Sequence, residues 1–433
     1  MSGEVMKSIK NDVKATILAA GLGKRMNPLS SDYFPKPLFP LGGDIPMVET
    51  WVNKLANWGV GEISMNLCVL RDTFKRHFGS RPLQNGTVRF LDEEIPTGTL
   101  GGICKQALGD RAKLVYHPEE TRPDFPKFSG TTILAPSGDI VSNFDAADLQ
   151  RMYEIHKSVG AAMTMVLTPV PWEMRGEYGT AIFGSAEDLD GAISKSGEIV
   201  DFLEKDPNSP SNLNNASIYM IDMALLEYLD PFRTQCSLDV ENPFYDFGKH
   251  VFPALLGKLD YIQLPKEFKL WGIQYDGEWF DVGRKRDYIE VHKNILKKEL
   301  RLPLQYDEFE GGYIGRNVSI DVTSTTIIPP VLIGNDCVIK PGATIGPFAV
   351  IGDGWTVEEN SQVANSVLWK DYSVISGKNH HAASIIRNGI TVNGSIVGEG
   401  IVETDLFEKV VSAANDGTVT TVDLDWIPDG KRE

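Results

Sequence analysis

The sequence predicts an α/β chain: a mostly parallel sheet covered by helices, followed by a coil of short strands. Three observations carry this. Over the first 300 of 433 residues, short apolar runs alternate with amphipathic stretches, the pattern of strand–helix–strand units. From Ile333 an aliphatic residue then recurs every six positions, at Ile339, Ile345, Ile351, Val357 and Val363. A chain of this length also exceeds one small core, so two or more domains are expected.

In order, Ala15–Ala20 reads as a buried strand ended by Gly21-Leu22-Gly23. Residues 47–58 read as a helix, with apolar side chains at Val48, Trp51, Val52 and Leu55. Strands are expected over 63–69, 132–135 and 162–168, and helices over 72–78 and 146–159. In such sheets ligands sit beyond the C-terminal strand ends. A period of six fits neither an α-helix nor a flat strand. It fits a coil of short flat sides, each turning one aliphatic residue inward. Ile314 and Ile320 fit the same period one phase earlier, and Val374, Ile385 and Ile396 continue it more loosely. The repeat resembles the hexapeptide repeat of left-handed parallel β-helices. The expected division is 1–300 for the sheet domain, 301–312 for a linker, 313–404 for the β-helix and 405–433 for a tail. That acidic tail is either a terminal strand or a frayed end.

Composition narrows the function. With 42% hydrophobic and 23% charged residues the chain is an ordinary globular one. A net charge of −17 makes it a poor generic binder of nucleic acid or anionic membrane. Anionic substrates would need local Lys and Arg and a cation. Cys68, Cys104, Cys236 and Cys337 have no short pair spacing, which argues against zinc or a disulfide framework and suits a reducing compartment. The run 15–20 is too short to span a membrane, and a cytoplasmic location is expected.

The strongest motif is Leu18-Ala19-Ala20-Gly21-Leu22-Gly23-Lys24-Arg25-Met26, followed by Phe34-Pro35-Lys36-Pro37-Leu38-Phe39-Pro40. Glycines after a strand let the backbone turn and bring N–H groups close to phosphate. Arg25 offers a planar fork of donors, and Lys36 a point charge held by an extended proline-flanked loop. No Gly-Lys-Ser/Thr follows, so this is not a Walker loop. Arg25-Met26 stands where a dinucleotide fingerprint has its third glycine.

Together these segments resemble the N-terminal signature of the sugar-1-phosphate nucleotidyltransferases, and the likeness continues in order. Glu94-Ile95-Pro96-Thr97-Gly98-Thr99-Leu100-Gly101-Gly102 is similar to the segment lining nucleobase and ribose. Ser137-Gly138-Asp139 matches the Gly-Asp whose carboxylate holds magnesium, and Trp279-Phe280-Asp281-Val282-Gly283 the second metal-binding Asp. Glu177-Tyr178-Gly179-Thr180 matches a sugar-binding loop. In Phe202-Leu203-Glu204-Lys205, Glu204 would hold sugar hydroxyls and Lys205 the sugar phosphate. Asn215-Ala216-Ser217-Ile218-Tyr219 is similar to the Asn-Ala-Gly-Ile-Tyr strand beside the sugar. The likeness covers about residues 14–290, and the β-helix extends it to about 400.

The resemblance implies a Rossmann-like catalytic domain, Mg2+ held by Asp139 and Asp281, and an NTP and a sugar 1-phosphate as substrates. Leu18, Ala20, Gly21, Gly23, Glu93, Gly98 and Thr99 would bind the nucleotide. Gly179, Glu204, Lys205 and Asn215 would bind the sugar phosphate, with Arg25 and Lys36 catalytic. Either Glu93 or Glu94 stands at the base edge. A carboxylate there accepts both N1–H and N2–H2 of guanine, which favours GTP and hence a mannose-1-phosphate guanylyltransferase-like enzyme, with UTP or another NTP and glucose 1-phosphate as the alternative. Two further readings are a catalytically inactive regulatory subunit, which would lack the catalytic groups this chain keeps, and an acyltransferase in the β-helix using His380-His381. Assembly into a homo-oligomer through the β-helix is expected. An insertion over 115–130 is a lid, a subunit contact or a plain surface loop, and Ser217 stands where the family has Gly.

Overall fold

The computed structural model of the protein describes residues 2–21, 23–26, 29–30, 35–68, 70–80, 87–93, 97–109, 129–236, 246–321 and 323–370, and beyond these the backbone of 385–386, 391–393, 395–398, 401–404, 410–412 and 418–419. The insertion over 115–130, apart from its last two residues, lies outside them, as do Glu94 and His380-His381. Two compact units form. One comprises Met1–Gly21, Trp51–Arg71 and Pro82–Trp279, the other Leu22–Thr50, Asp72–Arg81 and Phe280–Glu433.

The first unit is built on a nine-stranded sheet. Its strands are β1 (Val13–Leu18), β2 (Glu62–Leu67), β3 (Thr87–Asp92), β4 (Thr132–Pro136), β5 (Met163–Pro169), β6 (Gly179–Asp188), β7 (Ile193–Glu204), β8 (Leu213–Asp222) and β9 (Leu270–Tyr275). Their order is β3-β2-β1-β4-β8-β5-β9-β7-β6. β1 pairs in parallel with both β2 and β4, and β5 with β9. β8 runs against β4 and β5, and β7 against β9 and β6. The sheet is thus mostly parallel. Strand order switches at β1, so the loops leaving β1 and β4 open the crevice where ligands bind in such sheets.

β1 begins two residues before its apolar run. Lys14 is buried but faces Glu62 at 3.4 Å, so its charge is matched inside the sheet. The helix Ala146–Val159 has the bounds its sequence dictates. Asp145 accepts from the N–H groups of Ala147 and Asp148, Asp148 accepts from that of Asp145, and Gly160 at φ 61° ends the helix. The helix Gly98–Leu108 places Leu100, Ile103, Ala107 and Leu108 on one face. They join Met163, Met165, Ile221, Leu225 and Leu229 in one buried cluster.

The second unit contains the coil. Its short strands pair in parallel across one full turn: Ile333 with Ile351, Ile339 with Val357, and Ile345 with Val363. Three sides of six residues therefore make each turn, and the repeating aliphatics stack inside it, each 0–2% exposed. Ile314 and Ile320 stand over Ile333 and Ile339, as the sequence implies. Past Leu368 the register is set by Ile386 over Val357, Val392 over Val363 and Val397 over Leu368. Ile385 and Ile396 each lie one position off that stack; Val374 lies outside the described residues. Parallel stacking of this side ends at Ser395–Gly398; Ile401–Thr404 runs antiparallel to it, and Val410–Ser412 runs antiparallel to Ile401–Thr404. In the tail, Thr418–Val419 pairs in parallel with Ile385–Ile386. No helix among the described residues is long and apolar enough to cross a membrane.

Candidate active site

In the first unit the loops leaving β1 and β4 are tied together. Gly138 donates to the Leu18 carbonyl at 2.8 Å, and Ser137 donates to the Ser217 carbonyl at 2.9 Å. Leu18, Asp139 and the Asn215–Ser217 segment thus share one corner of the sheet. Asp139 is half-buried, and its Oδ1 accepts from Ser137 Oγ at 2.6 Å. Gly21 is exposed, and a Cβ there would meet nothing within 4 Å, so a ligand can approach that backbone closely.

The residues that the resemblance assigns to the sugar also converge. β6 and β7 pair Gly179 with Glu204, and Lys205 donates its backbone N–H to the Tyr178 carbonyl at 3.0 Å. Trp279 Nε1 donates to the Ala216 carbonyl at 3.0 Å, and its ring meets Tyr178 edge-on at 6.4 Å. The Glu204 carboxylate is wedged between two glycines. A Cβ on Gly179 or on Gly248 would stand 2.7 Å from Oε2. Desolvation in this cradle raises the Glu204 pKa, with Asp246 adding to the effect and Lys205 and Lys249 opposing it. The Asn215 side chain bridges two partners: Nδ2 donates to Tyr219 Oη at 2.8 Å, and Oδ1 accepts from the Ser217 N–H at 3.1 Å. Burial pushes the Tyr219 phenol up to about 12. Lys205 and Ser217 adopt φ of 54° and 56°, conformations that glycine enters freely and other residues rarely. Ser217 therefore keeps the backbone that the family's glycine would supply.

Glu93 is 1% exposed and turned inward. Its Oε2 accepts from Asn66 Nδ2 at 2.9 Å, and its Oε1 accepts from Thr97 Oγ1 and, at 3.5 Å, from Lys105 Nζ. Thr97 consequently makes no side-chain cap to the helix it precedes. Gly98 opens that helix at φ 71°, and Gly98 and Thr99 are half-exposed in its first turn.

The second unit gathers the basic residues. Gly23 has φ 58°, and a Cβ on it would stand 3.0 Å from Lys36 Cβ. Ser30 Oγ donates to the Gly23 carbonyl at 2.7 Å, closing the loop between them. Lys36 is 8% exposed, whereas Arg25 is exposed. The Arg25 guanidinium lies against Gly283, where a Cβ would come within 3.0 Å of Nη2. Gly283 N–H closes a turn on the Asp281 carbonyl at 2.8 Å, so Arg25 sits beside the Asp281-Val282-Gly283 turn. Asp139 in the first unit and Asp281 in the second each offer hard carboxylate oxygens, the donor type magnesium takes. Among the described residues no group of three or more His, Cys, Asp and Glu is assembled, and one or two carboxylates suffice where substrate phosphates complete the shell.

Sequence reasoning missed Asn66, Thr97, Lys105, Trp279 and Asp246 as contributors. Asn66 had a signal: it is an amide in a buried strand, where it needs hydrogen-bond partners.

Residues 14–298 match the family described as nucleotidyl transferase. The chain is 26% identical to a UTP–glucose-1-phosphate uridylyltransferase of Synechocystis over 364 residues, 83% of each chain. It is also 26% identical to the glucose-1-phosphate adenylyltransferase of Bacillus cytotoxicus over 407 residues, 92% of this chain and 94% of that one. A third relative, the glucose-1-phosphate adenylyltransferase of Bacillus anthracis, is 26% identical over 404 residues, 91% and 95% of the two chains. With about two thirds of its length matching that family and relatives of this kind, the chain belongs to the nucleotidyltransferases that act on sugar 1-phosphates.

Proposed function

We propose that the chain transfers a nucleotidyl group from an NTP to glucose 1-phosphate, releasing pyrophosphate. The observation that carries this is the tie between Leu18 and Gly138, which joins the start of the phosphate loop to the Asp139 turn and, through Ser137, to the sugar-side strand. The named relatives differ in nucleotide but agree in glucose 1-phosphate. The sequence favoured GTP with mannose 1-phosphate through a carboxylate at the base edge. That argument needs a carboxylate facing the base, and both oxygens of Glu93 accept from protein donors. GTP with mannose 1-phosphate is therefore the second reading.

A phosphate oxygen of the sugar 1-phosphate attacks the α-phosphorus of the NTP, the bond to the β-phosphate breaks, and pyrophosphate departs. The attacking group is already ionised, so no protein base or nucleophile is required, and catalysis is positioning plus charge neutralisation. Arg25 neutralises the leaving pyrophosphate. Lys36 and Lys205 align the reacting phosphates, and Glu204 accepts from sugar hydroxyls while Asn215 supports the strand beside them. Backbone at Leu18, Ala20, Gly21, Gly23, Gly98 and Thr99 lines the nucleotide. Asp139 and Asp281 would hold Mg2+, which supplies charge neutralisation to the bound phosphates. Assembly of copies through the sides and ends of the coil belongs to this reading. Four cysteines with no short pair spacing suit action in the cytoplasm.

The test is pyrophosphate release with GTP, UTP, ATP, CTP or dTTP against glucose 1-phosphate and mannose 1-phosphate, with magnesium. The strongest release is expected with glucose 1-phosphate. Strongest release with GTP and mannose 1-phosphate would replace this reading by the second one.

A further inference from the structure

Asn66, Thr97 and Lys105, outside the assigned site, hold the buried Glu93 in a relay that ends just past β1, at Ala19. Asn66, 3% exposed, stands at the C-terminal end of β2. Its Oδ1 accepts the backbone N–H of Ala19, the first residue past β1, at 3.0 Å. Its Nδ2 donates to Glu93 Oε2 at 2.9 Å, while Thr97 and Lys105 hold Oε1. Gly102 makes the room: a Cβ there would stand 2.6 Å from Asn66 Nδ2. An amide is the one short side chain that accepts at one end and donates at the other. It can therefore pass the pull of a carboxylate to a backbone N–H, and it fixes the direction of the peptide leading into Ala20 and Gly21.

We propose that Asn66 is a positioning residue for the nucleotide loop, and that Glu93 serves NTP binding through Asn66 rather than by contacting the base. This rests on the nucleotidyltransferase reading of the same loop. The polarity of the relay can be reversed without changing its size. In Asn66→Asp two carboxylates face each other, and in Glu93→Gln one end of the new amide is mismatched. Combining Asn66→Asp with Glu93→Gln restores the match. The carboxylate, now on β2, accepts from Ala19 N–H and from the introduced amide, and the oxygen of that amide accepts from Thr97 and Lys105.

The experiment measures KM for NTP and for sugar 1-phosphate, and the order of preference among five NTPs, in the wild type, both single variants and the double variant. Each single variant is expected to raise the NTP KM about tenfold, the effect of a mismatched buried hydrogen bond, with the sugar 1-phosphate KM within about twofold. The double variant is expected to return to within about threefold of wild type with the same order of NTP preference. A double variant no better than the worse single variant, equal loss toward both substrates, or a changed order of NTP preference would overturn the proposal. Should the Asn66 variants not fold, Thr97→Val decides: it removes one donor from Glu93 and leaves Asn66 intact. A raised NTP KM supports the relay, and an unchanged one overturns it. A wild type silent with every substrate pair removes the underlying reading, whereas an active wild type without rescue removes only the relay.

Discussion

At the scale of single residues, the site rests on a few atoms whose direction is set by buried partners. Gly23, Arg25, Lys36, Asp139 and Glu204 can each be named as candidates from neighbours in sequence, because glycine loops and strand-end carboxylates are local motifs. The orientation of Glu93 was not legible, since it depends on Asn66, Thr97 and Lys105, of which Asn66 is 27 residues away. Ser217 gives a direct energetic test. It holds φ 56°, where a side chain costs about 1–2 kcal/mol relative to glycine. Ser217→Gly is expected to raise the unfolding free energy by about 1 kcal/mol in urea titration. A loss of stability would show that the Ser217 side chain contributes more than its backbone costs.

At the scale of elements, the second unit ties the Lys36 segment to the coil. Phe39, fully buried, meets Trp369 at 4.8 Å and Tyr288 at 5.7 Å, both edge-on. Tyr288 Oη donates to the Pro40 carbonyl, and Lys370 pairs with Asp44. The single helical turn carrying Lys36 closes directly on Phe39, whose N–H donates to the Lys36 carbonyl at 3.0 Å. Trp369→Ala is expected to destabilise by about 3–5 kcal/mol, as loss of a buried large aromatic does, and to lower turnover, while Trp369→Phe keeps most of both. A change under about 0.5 kcal/mol in the alanine variant, the size of a surface substitution, would contradict this. The period of six was visible because each coil side is short and turns one aliphatic residue inward. The phase beyond Leu368 was hidden, because Val357 pairs with Ile386 and Leu368 with Val397, farther along the chain than one regular turn of the repeat.

At the scale of the whole molecule, each unit buries a histidine whose neutrality is part of its stability. Desolvation lowers His156 in the first unit and His292 in the second from 6.5 to about 4. His156 Nδ1 lies 2.9 Å from Thr164 Oγ1, and His292 Nδ1 2.8 Å from the Tyr288 carbonyl. Their folded pKa values lie below the unfolded ones, so the unfolded chain binds more protons between about pH 4 and 6.5. Stability is therefore full above that window and falls as pH drops through it. His156→Gln is expected to flatten the dependence of unfolding free energy on pH between those limits, and an unchanged slope would contradict the assignment. The fold class was legible because strand–helix alternation and the coil repeat are long patterns. The partition into units was not: Leu22–Thr50 and Asp72–Arg81 belong with Phe280–Glu433, a grouping made by contacts between segments far apart in sequence.

In the proposed reaction the α-phosphorus of an NTP is transferred to a sugar 1-phosphate, with Arg25 neutralising the departing charge. The most direct measurement follows NTP labelled at the α-phosphorus, with magnesium and glucose 1-phosphate, in the wild type and in Arg25→Ala. The label is expected in a nucleotide sugar, with unlabelled pyrophosphate formed in equal amount. Arg25→Ala is expected to fold normally and to slow this transfer by about 100-fold or more, the scale on which a lost charge-stabilising donor acts. Label that stays in NTP, or near-normal transfer in Arg25→Ala, would contradict the account.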